Sequence, residues 1–462
     1  MAQLPRVPLP TRDPALRITD FREVATGYDR QMAASEARRC LNCRHHPCVD
    51  GCPVGIDIPG FIRKIAQDDL PGAYAVMARD TALPAVCGRV CPQESQCEGK
   101  CVLGVKGQPV AIGNLERYAA DEHMKLPPEK PILPAPNGHR AAVVGAGPSG
   151  LTAAGELAKL GYSVTLFEAL HEPGGVLSYG IPEFRLPKAI VKREVAGLVS
   201  LGVDLQCNMV IGKTLLLDEL FDQGFEAIYI ASGAGLPKFM GIPGEQLNGV
   251  YSANEYLTRI NLMKAYEEGA ATPVFRGGHV AVVGGGNVAM DAARSAMRMG
   301  ADRVTVVYRR GMAELPARLE EVHHAQEEGI IFRTLCAPTK VLGEKGWVSG
   351  LECIEMTLGE PDESGRRRPA EKPGSAFTLA IDTLIIAIGT APNPLIHKNT
   401  PGLSTDRWGC LVADGKGLTT KPMVWAGGDT VTGAATVILA MGAGKTAAKA
   451  IDEAIRERRG AG

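Results

Sequence analysis

The 462-residue chain is 45% hydrophobic and 22% charged, with a formal net charge of -1; an ordinary core is expected, and so even a balance gives no reason to propose nucleic acid or an anionic membrane as partner. No apolar run reaches the roughly 18 residues needed to span a bilayer, which excludes a membrane span. Fifty-five glycines against 5% aromatic residues suit tight strand-to-helix turns around nucleotides, in a chain with length for about three domains.

The first residues, Met1 to Pro14, are rich in proline and lack a charged stretch followed by an apolar one. No secretory leader is read there, and a reducing cytoplasm is expected. Residues 1–28 read as an extended arm. Asp29 to Arg39 reads as a helix that delivers Cys40. From there to Cys101 lie eight of the twelve cysteines. The first run, Cys40 to Pro53, is C-x2-C-x4-C-x3-C-P. Two-cluster ferredoxins use a related pattern whose fourth cysteine serves the other cluster. By that logic Cys40, Cys43 and Cys48 share one [4Fe-4S] cluster and Cys52 helps hold a second. Tetrahedral zinc, with His45 or His46 as co-ligands, and disulfides are the competing readings. The two Cys-Pro steps favour clusters.

The second run, Cys87 to Cys101, is C-G-R-V-C-P-Q-E-S-Q-C-E-G-K-C. Two helical stretches between Ile58 and Met77, separated near Pro71–Gly72, join the runs. Residues 1–122 form a small helical domain whose stability depends on its metal. Glu116 follows in V-A-I-G-N-L-E-R. A carboxylate can replace a thiolate on iron, but the residues alone favour a charge on a helix surface. Met124 to Gly138 is a proline-rich linker, with the linker proper at 123–138.

Ala141 to Val144 reads as a buried strand running into G-x-G-x-x-G at Gly145, Gly147 and Gly150. A helix to Leu160 and a strand from Ser163 to Phe167 follow, and Glu168 ends that strand. The glycines permit the tight turn and the close approach of a pyrophosphate to a helix N-terminus. Glu168 suits a ribose 2′-OH and repels a 2′-phosphate. A second copy begins at His279, with Gly284, Gly286 and Ala289 as G-x-G-x-x-A and Asn287 within it. Its second strand, Val304 to Tyr308, ends in Arg309–Arg310, which can clamp a 2′-phosphate. FAD is therefore expected in the first fold and NADP(H) in the second.

Further on, Glu320 to Gly329 reads as a polar helix end, and the adjacent His323 and His324 do not make a metal pair. Glu360 to Ser375 reads as a solvated hairpin tip. Thr383 to Ile388 reads as a buried strand. After Val424, a strand ends at Gly427–Gly428–Asp429 and a long Ala/Gly helix follows. Asp429 suits ribityl or ribose hydroxyls. The helix N-terminus near Ala435–Thr436 would set its positive dipole end on the flavin. The flavin domain is thus split over 139–258 and 388–462, with the NADP(H) domain at 259–387 between.

These motifs, together with H-E-P-G-G-V-L-S-Y-G-I-P-E-F-R-L-P-K and A-G-G-D-T-V-T-G-A, resemble the NADPH-dependent glutamate synthase small-chain family. That family includes the large flavoprotein subunit of NADH-dependent ferredoxin–NADP+ oxidoreductase and its sulfide-dehydrogenase-like relatives, to which several segments look closer. The N-terminal part is also similar to that of dihydropyrimidine dehydrogenase. The resemblance implies an α/β fold. Two Rossmann-like domains in a glutathione-reductase-like arrangement follow a helical bis-[4Fe-4S] domain. It implies that the cysteine sets cross: Cys40, Cys43, Cys48 and Cys101 for one cluster, Cys52, Cys91, Cys97 and Glu116 for the other, with Cys87 a nearby non-ligand. It also implies that Gly174–Gly175, on their residues alone only a glycine turn, and the stretch to Lys188 lie against FAD.

The expected activity is electron transfer between NADP(H), FAD and two [4Fe-4S] clusters, with no general base and no catalytic side chain nominated. Disulfide-reductase chemistry is disfavoured because Cys207, Cys336, Cys353 and Cys410 are isolated. No residues remain for a glutaminase or a synthase barrel. The expected partner is ferredoxin, a ferredoxin-reductase-like flavoprotein subunit, or a glutamate synthase large subunit, in a hetero- or homo-oligomer.

Overall fold

The computed structural model describes residues 5–127, 131–363 and 365–460. Its N-terminal quarter is made of helices, several of them started by acids. Asp29 accepts a hydrogen bond from the Met32 N–H (2.8 Å) and opens the helix Arg30–Ala37. Asp57 and Asp69 do the same for Ile58–Ala66 and Leu70–Ala78. Each satisfies an N–H that the helix itself leaves unpaired. The break between the last two helices falls before Pro71–Gly72, because Asp68 turns left-handed at φ 62°. Pro71 sits in the first helical turn, where a missing N–H costs nothing. The helix Ile112–Met124 passes the expected domain end at 122 by one turn's fraction. Residues 128–130 of the expected linker lie outside the described residues.

The arm is more than extended chain. It contains the short helix Pro14–Arg17 and buries Arg17, Phe21, Val24 and Tyr28.

Two five-stranded parallel sheets follow. In the first, the order is Val424–Ala426, Ala227–Ile230, Arg140–Val144, Ser163–Phe167, Asp204–Gln206. In the second it is Val250–Ser252, Thr383–Ile386, His279–Val283, Arg303–Tyr308, Ile331–Thr334. Apart from an exposed first residue, the central strands Arg140–Val144 and His279–Val283 are buried along their length, as parallel strands covered on both faces must be. A four-stranded antiparallel sheet, spanning Cys336–Leu379, flanks the second fold. The chain passes between the folds at a short antiparallel pair, Leu236–Pro237 with Thr390–Ala391.

Val250–Ser252 pairs with Leu384–Ile386 in the second sheet, and the helix Ala253–Asn261 follows it. These residues group with the second fold, ahead of the expected boundary at 258/259. The cluster region and the first fold share one apolar core: Phe61, Val86 and Leu115 belong to the same packed group as Leu151, Leu157 and Met441. Phe21 and Val24 of the arm join the core of the second fold instead.

Candidate functional site

Two cavities receive the cysteines. Cys40, Cys43, Cys48 and Cys101 line the first, with Ile58, Ile62 and Ile112. Cys52, Cys91, Cys97 and Glu116 line the second, with Cys87, Phe61 and Ile438. The structure therefore brings the two runs together crosswise. Neither His45 nor His46 lines either cavity. Among the described residues no three His, Cys, Asp or Glu side chains converge as a single ion requires. The two sets instead line two separate cavities.

The chemistry of the second set fits iron–sulfur. Glu116 is buried, and its Oε1 has no hydrogen-bond partner. Burial pushes its carboxyl up to about 8. An orphaned buried carboxyl facing three thiols suits a cation on that side. Burial also raises the Cys97 thiol well above its ordinary value and, with the nearby Cys40, pushes Cys48 up to about 11. Metal binding would replace those protons. Cys87 lines the same cavity, its Sγ 3.6 Å from Met441 Sδ and 3.7 Å from Thr81 Oγ1.

The flavin-side turns converge at the carboxyl ends of the first sheet. Gly145 adopts φ 104°, and a Cβ on Gly150 would overlap the Gly145 carbonyl oxygen. Gly174 donates its N–H to the Ala146 carbonyl (2.8 Å). A Cβ on Gly175 would stand 2.9 Å from the Gly147 Cα, and one on Gly428 would stand 3.0 Å from the Ser149 Cβ. Three glycine stretches thus meet where a dinucleotide's backbone approach demands no side chains. Glu168 is buried at the strand end and accepts hydrogen bonds from Ala146 N–H (2.8 Å) and Leu170 N–H (2.9 Å). Asp429 starts the short helix Asp429–Thr432, accepts from Ala435 N–H (3.2 Å), and is pushed up by burial. Thr436 precedes the long helix Val437–Gly460.

The second glycine turn is built alike. Gly284 adopts φ 144°, and a Cβ there would overlap the Ala387 carbonyl oxygen; at Gly286 it would meet nothing within 4 Å. Asn287 opens the helix Asn287–Arg298, its Oδ1 accepting from Arg318 N–H (2.9 Å), and Ala289 is fully buried. Arg309 is exposed. Arg310 is buried and engaged: Nη2 reaches Asp362 Oδ2 (2.6 Å) and Nε the Arg367 carbonyl (2.8 Å). The hairpin tip is largely exposed, as expected, and is also tied to the end of this strand.

Sequence reasoning missed the joints between the folds. Glu328 and Glu321, expected on a polar helix end, are buried. Glu328 meets Arg17, Arg294 and Arg298; Glu321 meets Arg294 and Arg185. Arg185, from the stretch expected against FAD, also pairs with Asp291 (2.7 Å). The available signal was the spacing of Asp291, Arg294 and Arg298, which puts three charges on one helical face.

Two family models match the chain: dihydropyrimidine dehydrogenase domain II, 4Fe-4S cluster, over residues 17–127, and pyridine nucleotide-disulphide oxidoreductase over 139–454. The glutamate synthase [NADPH] small chain of Halomonas elongata is 36% identical, over 96% of this chain and 95% of its own length. This chain belongs to the NADPH-dependent glutamate synthase small-chain family. Its cofactors are accordingly 4Fe-4S iron–sulfur, FAD and NADP(H). The NADP(+)-dependent formate dehydrogenase subunit beta of Moorella thermoacetica is 38% identical over 94% of this chain, which spans 64% of that longer protein. The NADPH-Fe(3+) oxidoreductase subunit beta of Geobacter sulfurreducens is 38% identical, over 95% of this chain and 67% of its own length. Among solved structures, Mycobacterium tuberculosis FprA in complex with NADPH superposes with a TM-score of 0.59 at 20% identity, covering 70% of this chain and 86% of that one. That likeness bears on the fold alone. Among the described residues no helix is long and apolar enough to cross a membrane.

Proposed function

We propose that this chain is the NADP(H)-linked electron-transfer subunit of a larger oxidoreductase, exchanging electrons with ferredoxin or a second flavoprotein. One observation carries the reading. The second cysteine cavity is lined in part by Ile438, at the start of the helix that follows the Gly428–Asp429 turn. The thiol-and-carboxyl set therefore borders the flavin fold itself. FAD, when bound, would take one hydride, two electrons together, and pass electrons on singly, which a nucleotide and an iron–sulfur cluster cannot do for each other.

The chain's residues divide the work. Gly145, Gly147, Gly150, Gly174, Gly175 and Gly428 admit the flavin dinucleotide, and Glu168 and Asp429 take its hydroxyls. Ala435 and Thr436 lead into the helix whose positive end faces the ring. Gly284, Gly286, Asn287 and Ala289 admit the nicotinamide dinucleotide, and Arg309–Arg310 read its 2′-phosphate. Cys40, Cys43, Cys48 and Cys101 hold one cluster; Cys52, Cys91, Cys97 and Glu116 hold the other. In this reading the cluster domain is 1–122, the flavin fold is split around the insert, and the protein is cytoplasmic, consistent with twelve free cysteines.

Several relatives are subunits by name, which supports a partner chain. A second reading, the electron-input subunit of glutamate synthase, is favoured by the 95% coverage of the Halomonas elongata small chain. Anaerobic purification from the native host tests both. About eight irons and one FAD per chain beside a small flavoprotein support the first reading. The same cofactors beside a large amidotransferase chain support the second. Zinc in place of iron would remove the electron path altogether, because zinc has no second oxidation state.

A further inference from the structure

We infer that Asp362 is a built-in counter-anion of the nucleotide site, holding on Arg310 the place that the 2′-phosphate of NADP(H) takes. The inference rests on the reading of Arg309–Arg310 as the 2′-phosphate site. Arg310 is two residues past the strand Arg303–Tyr308, where a dinucleotide fold presents its adenosine ribose. Its side chain is 8% exposed, and a guanidinium so enclosed requires an anion. Asp362 supplies it, across 2.6 Å. The neighbouring Arg309 is exposed and makes no hydrogen bond or ion pair among the described residues. One arginine of the pair is thus open to an incoming phosphate while the other is already neutralised.

Asp362 is placed to let go. It lies in the turn between the strands Trp347–Pro361 and Arg367–Glu371 and keeps 23% of its side chain exposed. The turn has other anchors. Asp362 N–H donates to the Arg366 carbonyl (2.8 Å), and Arg310 Nε donates to the Arg367 carbonyl (2.8 Å). Arg367 Nε donates to Glu314 Oε1 (2.7 Å), and Glu314 also accepts from Gly311 N–H (3.1 Å). Losing the Asp362 charge therefore leaves the hairpin pinned. A phosphate carries more charge than a carboxylate and can take Arg309 and Arg310 together, so it displaces Asp362. A nucleotide with a free 2′-OH has no means to do so. Asp362 thereby lowers affinity for the phosphorylated nucleotide alone and eases its release.

The test uses full-length holoprotein and its Asp362→Asn variant, with flavin content and melting temperature checking that the fold is kept. Dissociation constants are measured for NADP+, NAD+, 2′,5′-ADP and 5′-AMP. The variant should bind NADP+ and 2′,5′-ADP about fivefold more tightly, with NAD+ and 5′-AMP unchanged. Unchanged or weaker NADP+ binding overturns the inference. Asp362→Ser gives the same expectation should the amide destabilise the turn. The double variant Arg309→Gln/Arg310→Gln tests the underlying reading separately. Equal loss of NADP+ and NAD+ there would remove the 2′-phosphate site itself. Selective loss of NADP+ without tightening in Asp362→Asn would keep the site and remove only the counter-anion.

Discussion

Glu328→Gln is the most informative single change outside the cofactor clefts. Glu328 is fully buried and accepts five hydrogen bonds. Arg17 Nε lies at 2.8 Å, Arg294 Nε and Nη2 at 2.9 and 2.7 Å, and Arg298 Nη1 and Nη2 at 2.8 and 3.1 Å. Burial alone would raise its carboxyl, but the guanidiniums of Arg294 and Arg298 hold it far below the usual carboxylate range. Arg17 keeps Glu327 and Arg294 keeps Glu321 when Glu328 becomes neutral; Arg298 keeps no carboxylate among the described residues. Breaking a buried pair from one side costs about 3–5 kcal/mol. In a unit the size of the second fold that lowers its melting transition by roughly 6–20 °C. Calorimetry on the holoprotein reads the shift, and limited proteolysis reads release of the arm that carries Arg17. A carboxyl with a depressed folded pKa contributes stability above its unfolded pKa and loses it as pH falls through the folded one. The gap between wild type and variant should therefore be flat from about pH 5 to 8 and close only in acid, below the unfolded pKa of about 4.3. A transition shifted by less than about 2 °C, or a gap that closes near neutrality, would refute the reasoning.

The two glycine turns give a contrasting pair. Gly150→Ala forces a methyl onto the Gly145 carbonyl, so flavin retention and melting temperature should both fall. Gly286→Ala meets nothing within 4 Å, so melting should not move while NADP+ and NAD+ affinity both fall about tenfold, the methyl standing where the pyrophosphate approaches. Arg318 spans the nucleotide fold and the cluster domain, donating to the Arg89 carbonyl (2.9 Å) and Gln93 Oε1 (3.1 Å). Arg318→Ala should cost about 1–3 kcal/mol and expose the loop after Cys91 to protease; an unchanged cleavage pattern would count against this joint.

The elements legible in the sequence were those whose cause is local. Each glycine turn sits between a buried strand and a helix within about thirty residues, and the turn geometry leaves no other residue possible at Gly145 or Gly284. The C-x2-C-x4-C spacing likewise puts Cys40, Cys43 and Cys48 around one space, while pairing with Cys101 needs the fold. What stayed hidden depends on partners far along the chain. Val250–Ser252 is three residues long, and its strand partner lies at 384–386, so no local pattern marks it as part of the second sheet. Glu321 and Glu328 look like a solvated face because the guanidiniums that neutralise them come from residues 17, 185, 294 and 298. Glu116 looked like a surface charge for the same reason: its setting is made by Cys52, Cys91 and Cys97. The hairpin at 361–367 has the composition of an exposed tip, and only the fold shows that Arg310 holds it.

The junction between the second cavity and the flavin fold carries the proposed function, and its construction can be tested apart from its cofactors. Gly442 of the helix Val437–Gly460 lies so close to the cluster domain that a Cβ would stand 2.8 Å from the Pro53 carbonyl. One turn on, Lys445 Nζ donates to the carbonyls of Val54 (2.8 Å) and Asp80 (2.9 Å) and pairs with the Asp80 carboxylate (3.1 Å). The lysine thus fastens the chain just after Cys52 to the helix that borders the flavin site. Lys445→Met keeps the stem's packing and removes all three contacts. Bleaching of the flavin by NADPH depends on the two nucleotide folds and should keep its rate. Reduction of an external one-electron acceptor depends on the junction and should slow. If both rates fall together, Lys445 supports the fold as a whole; if neither changes, electrons do not leave the flavin through this joint.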